Sequence, residues 1–150
     1  MRVWRLTARE HRTLDGEGGR LYGGRWNSPG VPVVYASATL SLAVLETLVH
    51  ADIADVPEDR RALEIDIPDD AIIALHTGQL ARDWRTRPES HACRSLGDAW
   101  VRTGEATCLR VPSVVIPFES NYLINPRHPD AHGLRVVRDV AFELDQRLRR

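Results

Sequence analysis

Apolar and polar side chains alternate in several stretches of the chain, as they do in β-strands that bury one face. A β-branched run at residues 31–36 predicts a buried strand, because it lacks this alternation and follows Gly30. Residues 107–116 are also rich in strand formers, but Pro112 interrupts them and predicts an edge or a bulge near Ser113. The alternating stretches are residues 2–7, 62–67 and 134–144.

Residues 40–50 have the pattern of an amphipathic helix. Either Ser37 or Thr39 can cap it, because a short hydroxyl side chain accepts a hydrogen bond from the free amides of the first turn. On a helical wheel Glu46 lies on a narrow stripe that faces water or a cleft, whereas the remaining arc is apolar. The stripe also contains Ala43, Thr47 and His50, and the arc contains Leu40, Leu42, Val44, Leu45, Leu48 and Val49.

A second helix is predicted over residues 88–103, with Pro88 at a favourable first position and Gly104 after the last turn. Polar, glycine-rich or proline-rich segments separate the regular elements. They are a loop at residues 8–22, an acidic linker at 52–59, a short helical turn at 71–77, a loop at 78–87 and an ordered irregular loop at 118–129. Five or more strands mixed with two or three helices predict one α+β domain over residues 1–150.

Composition and charge narrow the class of protein. A chain of 150 residues, 43% of them apolar, can form one ordinary core. The net charge of -1 gives no general attraction to nucleic acid or to an anionic membrane, and no apolar run reaches the roughly 18 residues of a membrane span. Cys93 and Cys108 lack the spacing of a disulfide framework or a zinc cluster. We therefore expect a soluble, cytoplasmic protein with reduced thiols.

Arg25 lies in a glycine-rich turn, an arrangement that lets a backbone approach a phosphate closely while the guanidinium binds it through two hydrogen bonds. Glu46, on its narrow stripe, could act as a base or stabilise a developing cation. A surface arginine and a solvated glutamate are the alternatives for these two residues. Aromatic side chains that could form a wall for a planar ring are Tyr22, Trp26 and Tyr35, although Tyr35 also suits the core.

Three other kinds of site are disfavoured. His128 and His132 are four positions apart, but Pro129 between them opposes the helix that would place both on one face, so we expect no metal site. Neither Ser113 nor Ser120 lies in the G-x-S-x-G turn of an α/β-hydrolase. All 20 basic residues are arginine, which excludes Schiff-base chemistry on lysine.

Five motifs follow one another along nearly the whole chain: Gly24-Arg25-Trp26-Asn27, Val33-Val34-Tyr35-Ala36, Leu42-Ala43-Val44-Leu45-Glu46, Val111-Pro112-Ser113-Val114, and Asn121-Tyr122-Leu123-Ile124-Asn125-Pro126 with His128-Pro129. Together they resemble the RES domain family, which is named for an arginine, a glutamate and a serine. Five motifs in a fixed order are far more specific than any one of them.

The resemblance implies the toxin of a bacterial type II toxin–antitoxin pair, with an ADP-ribosyltransferase-like fold and NAD⁺ as its substrate. It matches Arg25 to the family arginine and Glu46 to the family glutamate. The family serine is matched best by Ser113, with Ser120 as the alternative. Further expected substrate contacts are the aromatic residues Trp26, Tyr35 and Tyr22 and the motif asparagines Asn27, Asn121 and Asn125.

The chemistry suits these residue types. Cleavage of the nicotinamide–ribose bond leaves positive charge on the ribose, so a nearby carboxylate stabilises the transition state more than the ground state. Glu46 would stabilise this charge and hold a ribose hydroxyl, while Arg25 would bind the pyrophosphate. Tyr35 or Trp26 would stack on nicotinamide, and Ser113 would orient the adjacent ribose or shape the pocket.

Other functions stay open at this point. ADP-ribosyl transfer to a protein needs the same pocket and differs from hydrolysis or phosphorolysis in its acceptor. A non-catalytic module that binds a helix-turn-helix repressor is an alternative of another class. The resemblance further implies an Xre-type helix-turn-helix antitoxin that covers the site and no direct binding of nucleic acid. It leaves homo-oligomerisation open.

Overall fold

A mixed sheet of seven strands organises the fold in a computed structural model that describes residues 1–50, 59–86 and 91–149. The strands are β1 (Arg2–Ala8), β2 (Val34–Ser37), β3 (Arg60–Asp66), β4 (Ile72–Ala74), β5 (Cys108–Pro112), β6 (Ser120–Ile124) and β7 (Arg135–Phe142). Their order across the sheet is β4-β5-β6-β2-β1-β3-β7. The pairing of β4 with β5 is parallel, and the other pairings are antiparallel.

Helices and short turns connect these strands. The α-helices are α1 (Glu17–Tyr22), α2 (Leu40–His50) and α3 (His91–Thr103). The 3-10 turns are Arg9–His11, Asp69–Ala71, Thr77–Gln79, Pro129–Gly133 and Gln146–Arg149. Together with the mixed sheet they confirm the α+β class that the sequence predicts.

A single pair of residues, Trp4 and Ser37, joins β1 to β2. By contrast, β1 pairs with β3 and β2 pairs with β6 along their whole lengths. The two halves of the sheet therefore diverge beyond this pair, and they leave a gap between β1 and β2.

α2 follows β2 directly and carries Glu46. Thr39, and not Ser37, is its N-cap, because the Thr39 hydroxyl accepts a hydrogen bond from the backbone amide of Leu42 at 3.1 Å. The apolar arc of α2 packs against β1, the end of β7 and the segment after it. The contacting side chains are Leu40, Val44, Leu48, Leu6, Phe142 and Leu144.

The wheel assigns three residues of α2 to the wrong environment. Ala43 lies on the predicted polar stripe but is buried, whereas Leu45 and Val49 lie on the apolar arc and are 38% and 43% exposed. The stripe faces the gap in the sheet and not open water, and a methyl group is small enough to pack there. The buried face is consequently rotated towards Ala43.

The sequence predicts a loop over residues 8–22, and α1 corrects part of it. Gly16 and Gly23, with φ angles of 70° and 67°, begin and end this helix. Gly19 lies so close to the next segment that an added Cβ would be 2.4 Å from the carbonyl oxygen of Val33. The glycines thus allow close packing of a helix, although their number suggests a loop.

Two further segments form strands where the sequence predicts other structure. Residues 71–77 are predicted as a helical turn, but Ile72–Ala74 pair in parallel with β5. Residues 118–129 are predicted as an irregular loop, but Ser120–Ile124 form β6 between β2 and β5. Both errors have one cause, since these short segments gain their strand conformation from distant partners. The prolines that suggest a loop lie beyond the end of β6.

Pro112 is the last residue of β5. The sheet edge that the sequence predicts near Ser113 exists only at this end of the strand. β5 has a neighbour on each side, but its ladder with β4 ends at Arg110, while its ladder with β6 continues to Pro112. The carbonyl of Arg110 points towards the β4 side, where it accepts from Leu75. The nitrogen of Pro112 points to the same side, beyond the ladder, where no amide donor is needed.

α3 packs against the glycine-rich turn that contains Arg25. An added Cβ at Gly97 would be 1.7 Å from the carbonyl oxygen of Trp26, so the two backbones are in direct contact. The helix ends at Gly104, which has a φ of 60° and donates to the carbonyl of Trp100, as the sequence predicts. Predictions for residues 52–58 and for Pro88 lie outside the described residues.

Cys93 and Cys108 are free thiols, and both are buried. Burial raises the pKa of Cys108 to about 12. Among the described residues, no helix combines the length and the apolar character that a membrane crossing requires.

Candidate active site

The gap between β1 and β2 opens into a cleft of about 580 Å³. Strands β1 and β2, the inner stripe of α2, the glycine-rich turn and the end of β5 all contribute to its walls. The volume lies in the range of pockets that bind small molecules or cofactors, about 300–1,000 Å³. The side chains with polar or aromatic groups in this lining include Arg5, Tyr22, Arg25, Trp26, Tyr35, Ser37, Glu46, His50 and Asn121.

Glu46 projects from α2 into this cleft with its side chain 21% exposed. Its Oε1 accepts two hydrogen bonds, from the hydroxyl of Ser113 at 2.8 Å and from the amide of Asn121 at 2.6 Å. Its Oε2 lies 3.9 Å from Nε2 of His50, beyond hydrogen-bonding distance. Within the described part of the chain, one carboxylate oxygen is therefore held and the other makes no hydrogen bond.

Ser113 is fully buried directly after β5, and all of its hydrogen-bonding capacity is used. Its hydroxyl donates to Glu46 and accepts from the backbone amides of Val115 and Ile116 at 3.1 and 3.0 Å. Ser120 instead begins β6 opposite Pro112 and does not line the cleft. Of the two candidate serines, Ser113 is the one that contacts Glu46.

Arg25 lies at the other side of the cleft, in the turn after α1. Its Nη1 donates to the backbone carbonyls of Trp84 at 2.6 Å and Thr86 at 3.2 Å. The next residue, Trp26, is buried, and its ring packs against that of Trp84 with centroids 6.3 Å apart. The segment around Trp84 thus fixes both residues of the turn.

Tyr35 and Asn27 hold the turn from inside. The Tyr35 hydroxyl donates to Oδ1 of Asn27 at 2.6 Å and accepts from the amide of Trp26 at 3.2 Å. Asn27 is fully buried and donates to the carbonyls of Gly19 and Val31, so it does not face the cleft. Burial raises the pKa of Tyr35 above its ordinary range, because the charged phenolate would be desolvated there.

The other predicted contacts are divided between the cleft and the core. Asn121 and Tyr22 line the cleft, and Tyr22 is 82% exposed at its rim. Asn125 is buried away from it, where its side chain bonds the carbonyl of Val101 and the amide of Arg127. The structure therefore brings Arg25, Trp26, Tyr35, Glu46, Ser113, Asn121 and Tyr22 together and leaves Asn27, Asn125 and Ser120 outside the cleft.

Arg5 of β1 lines the cleft and is absent from the residues that the sequence suggests. Its Nε is buried and has no hydrogen-bond partner among the described residues. Burial lowers the pKa of Arg5, and the charge of Asp15 partly opposes this effect. The alternation along β1 could have identified Arg5, because Val3, Arg5 and Thr7 project from the same face of the strand and Val3 and Thr7 are buried.

The histidines do not converge on a metal site. Nδ1 of His128 lies 2.9 Å from the hydroxyl of Thr107 and accepts from the amide of Asp130. His132 lies in the turn Pro129–Gly133 and is exposed. In residues 1–50, 59–86 and 91–149, no three His, Cys, Asp or Glu side chains are grouped as ligands of an ion.

Comparisons with known proteins agree on one family. The chain is 37% identical to the Prs ADP-ribosylating toxin of a Sphingobium species, over 97% of this chain and 94% of that protein. It is 39% identical to the Toxin Res of Pseudomonas putida, over 99% of both proteins. It is 36% identical to the Toxin Res of Photorhabdus laumondii, over 99% of this chain and 97% of the relative.

The fold is similar to a solved structure. A chain of the crystal structure of the M. tuberculosis MbcT–MbcA toxin–antitoxin complex superposes with a TM-score of 0.79, covering 99% of this chain and 88% of that chain at 24% identity. The RES domain matches residues 2–145. These similarities confirm the family predicted from the five motifs: the chain belongs to the RES domain family.

Proposed function

We propose that this protein is a toxin that cleaves the nicotinamide–ribose bond of NAD⁺. The observation that carries the proposal is Glu46, a carboxylate in a cleft whose Oε1 is bound by two donors while Oε2 makes no hydrogen bond in the described residues. Such a group is preorganised to stabilise a cation that forms beside it. The toxin role is supported by the full-length relatives named Toxin Res.

The bond that breaks links the anomeric carbon of ribose to the ring nitrogen of nicotinamide. Its electron pair leaves with nicotinamide, which departs as a neutral ring, and the ribose carries the positive charge of an oxocarbenium ion. Oε2 of Glu46 would lie beside this charge and bind a ribose hydroxyl. Because the charge is greatest in the transition state, this interaction lowers the barrier more than it stabilises bound substrate.

Arginines on the cleft wall suit the pyrophosphate of NAD⁺. Arg25 is fixed through Nη1 by two carbonyls, and among the described residues its other guanidinium donors have no hydrogen-bond partner and could bind an anion. Arg5 brings a second guanidinium with a buried, unpartnered Nε in the described structure. A bound pyrophosphate would supply the hydrogen-bond acceptor that the Nε of Arg5 lacks among the described residues, and its charge would add to that of Asp15.

The aromatic residues differ in what they can offer. Both Trp26 and Tyr35 belong to the cleft lining, but the ring of Trp26 is buried against Trp84 and the hydroxyl of Tyr35 is already bonded to Asn27. One of these two rings, Tyr35 or Trp26, would therefore stack on the planar nicotinamide and make no polar contact with it. Tyr22, which is exposed at the rim, is free to move towards a ligand.

The acceptor defines two versions of the reaction. Water would give ADP-ribose, nicotinamide and a proton, and inorganic phosphate would give ADP-ribose 1″-phosphate and nicotinamide.

Transfer of ADP-ribose to a protein is the second candidate function, and the name of the Sphingobium relative favours it. An antitoxin partner, of the kind present in the complex with the similar fold, would silence either activity.

The test is incubation of the purified protein with NAD⁺ in buffer, in buffer with phosphate, and in a bacterial lysate. Release of nicotinamide in buffer is expected, and dependence on phosphate would identify phosphorolysis. ADP-ribose attached to a lysate protein would identify transfer. The absence of nicotinamide release under all three conditions would overturn the proposal, and the Glu46→Gln variant is the control for contaminating enzymes.

A further inference from the structure

Asn121 links Glu46 to Ser37 through the two ends of its side-chain amide. Its Nδ2 donates to Oε1 of Glu46 at 2.6 Å, and its Oδ1 accepts from the hydroxyl of Ser37 at 2.7 Å. Ser37 and Asn121 are direct partners in the pairing of β2 with β6. Opposite residues of paired strands project from the same face, so the backbone itself brings these side chains together.

The contact with Ser37 determines which end of the amide faces Glu46. A carboxylate accepts hydrogen bonds only, so it requires the NH₂ group and is repelled by the carbonyl oxygen. Ser37 has a single hydroxyl proton, which it donates to Oδ1. The same donation that satisfies Oδ1 therefore keeps Nδ2 directed at the carboxylate.

Two donors from different parts of the sheet bind the same oxygen of Glu46. Asn121 approaches Oε1 from β6, and Ser113 approaches it from the end of β5. Rotation of the carboxylate about its terminal bond would break both hydrogen bonds together. Oε1 is thereby fixed, and Oε2 keeps one position on the cleft side.

We propose that Ser37 and Asn121 are positioning residues that act through Glu46. In this relay the Ser37 hydroxyl orients the Asn121 amide, which holds Oε1 and leaves Oε2 as the oxygen offered to the substrate. The inference rests on the proposed function for its catalytic consequence. It assigns Asn121 to the support of Glu46, whereas its motif suggests a substrate contact.

Kinetics of four variants test the relay. Ser37→Ala should lower kcat about tenfold with little change in KM, because a misplaced carboxylate affects the transition state and not the binding of NAD⁺. Asn121→Ala should lower kcat at least as much. Ser37→Ala added to Asn121→Ala should have no further effect, because the residue through which Ser37 acts is already gone.

Asn121→Asp distinguishes positioning from packing. It preserves the shape of the side chain but replaces the donor by a second carboxylate beside Glu46, so it should lower kcat more than the truncation to alanine does. A residue that only fills space would show the reverse order. Equal effects of Ser37→Ala alone and in the Asn121→Ala background would overturn the relay.

A measurement independent of turnover separates the relay from the proposed function. The side-chain amide of Asn121 should give a distinct, slowly exchanging ¹⁵N signal, which Ser37→Ala shifts and exposes to faster exchange. The matched control is Thr7→Val, which removes a buried hydroxyl from neighbouring β1, outside the cleft, and should leave that signal and kcat unchanged. An unchanged Asn121 signal in Ser37→Ala would overturn the relay even if NAD⁺ is consumed. A changed signal without NAD⁺ consumption would support the relay and refute the function.

Discussion

The hydroxyl of Ser113 donates a 2.8 Å hydrogen bond to Oε1 of Glu46, although 67 positions separate the two residues in the chain. Because Ser113 also accepts from the amides of Val115 and Ile116, it ties the carboxylate of α2 to the backbone after β5. In the described structure the Ser113 hydroxyl is fully used by these three hydrogen bonds, an arrangement that suits a serine supporting the carboxylate. We infer that Glu46 is the carboxylate that faces the cleft and that Ser113, which the resemblance matches to the family serine, holds it in place.

Glu46→Gln should abolish turnover and preserve the fold. The amide carbonyl can still accept from Ser113 and Asn121, but the negative charge that would stabilise the oxocarbenium in the proposed reaction is lost. We expect a fall in kcat of about 10³-fold or more with a melting temperature close to that of the unchanged protein. Nicotinamide release and thermal unfolding measure the two properties. Glu143→Gln, at an exposed position, should keep full activity; substantial turnover by Glu46→Gln would exclude the assigned role.

Ser113→Ala should lower both stability and activity. It leaves two backbone amides and one carboxylate oxygen short of a partner, which typically costs about 1–3 kcal/mol of unfolding free energy. We expect kcat to fall about 10- to 100-fold, less than in Glu46→Gln, because the charge remains. Urea unfolding and steady-state kinetics test this, with Ser95→Ala on the exposed face of α3 as the control. Unaltered kcat would contradict a positioning role for Ser113.

Gly97→Ala should destabilise the protein strongly. Its Cβ would be 1.7 Å from the carbonyl oxygen of Trp26, so α3 must move away from the turn that carries Arg25. We expect a loss above about 2 kcal/mol and an increased KM for NAD⁺. Gly18→Ala is the matched helical control, because nothing lies within 4 Å of its Cβ, and it should stabilise the protein by up to about 1 kcal/mol. Equal melting temperatures for the two variants would refute this packing argument.

Stability should fall as the pH rises above about 9. Burial raises the pKa of Cys108 from 9.0 to about 12 and that of Tyr35 from 10.0. Groups with a raised pKa in the folded state contribute stability below the ordinary pKa, and this contribution is lost above it. Each costs up to about 1.4 kcal/mol per pH unit in its own window. Urea unfolding between pH 8 and about 11 measures this, and Tyr35→Phe should have a shallower slope above pH 10. A slope equal to that of the unchanged protein would contradict the contribution of Tyr35.

Arg5→Met should weaken NAD⁺ binding without loss of stability. The guanidinium is desolvated and its Nε unpartnered in the described structure, so an apolar side chain of similar length removes a cost of folding. Loss of the proposed charged contact to the pyrophosphate should raise KM about tenfold or more. Thermal unfolding and kinetics give the two values. A decreased melting temperature with unchanged KM would instead assign Arg5 to the support of the fold.

The sequence by itself determined the elements whose signals are local. The alternation of polar and apolar residues predicted β1, β3 and β7, and Gly104 predicted the end of α3. The helical wheel put Glu46 on the stripe that faces the cleft in the structure. The ordered motifs identified the family and nominated Arg25, Glu46 and Ser113. The predictions of the strands and of the helix end are correct because a period of two or 3.6 and a cap depend on neighbouring residues only.

Tertiary structure alone decided the rest. β4 and β6 are strands because distant partners satisfy their backbone groups, and Gly19 of α1 allows close packing against Val33. Asn27 and Asn121 each belong to one of the five motifs, yet one is buried in the turn and the other contacts Glu46. The cleft, the buried Arg5 and the hydrogen bonds to Oε1 arise where β1 and β2 diverge. No local pattern encodes such contacts, because each joins residues that only the folded sheet brings together.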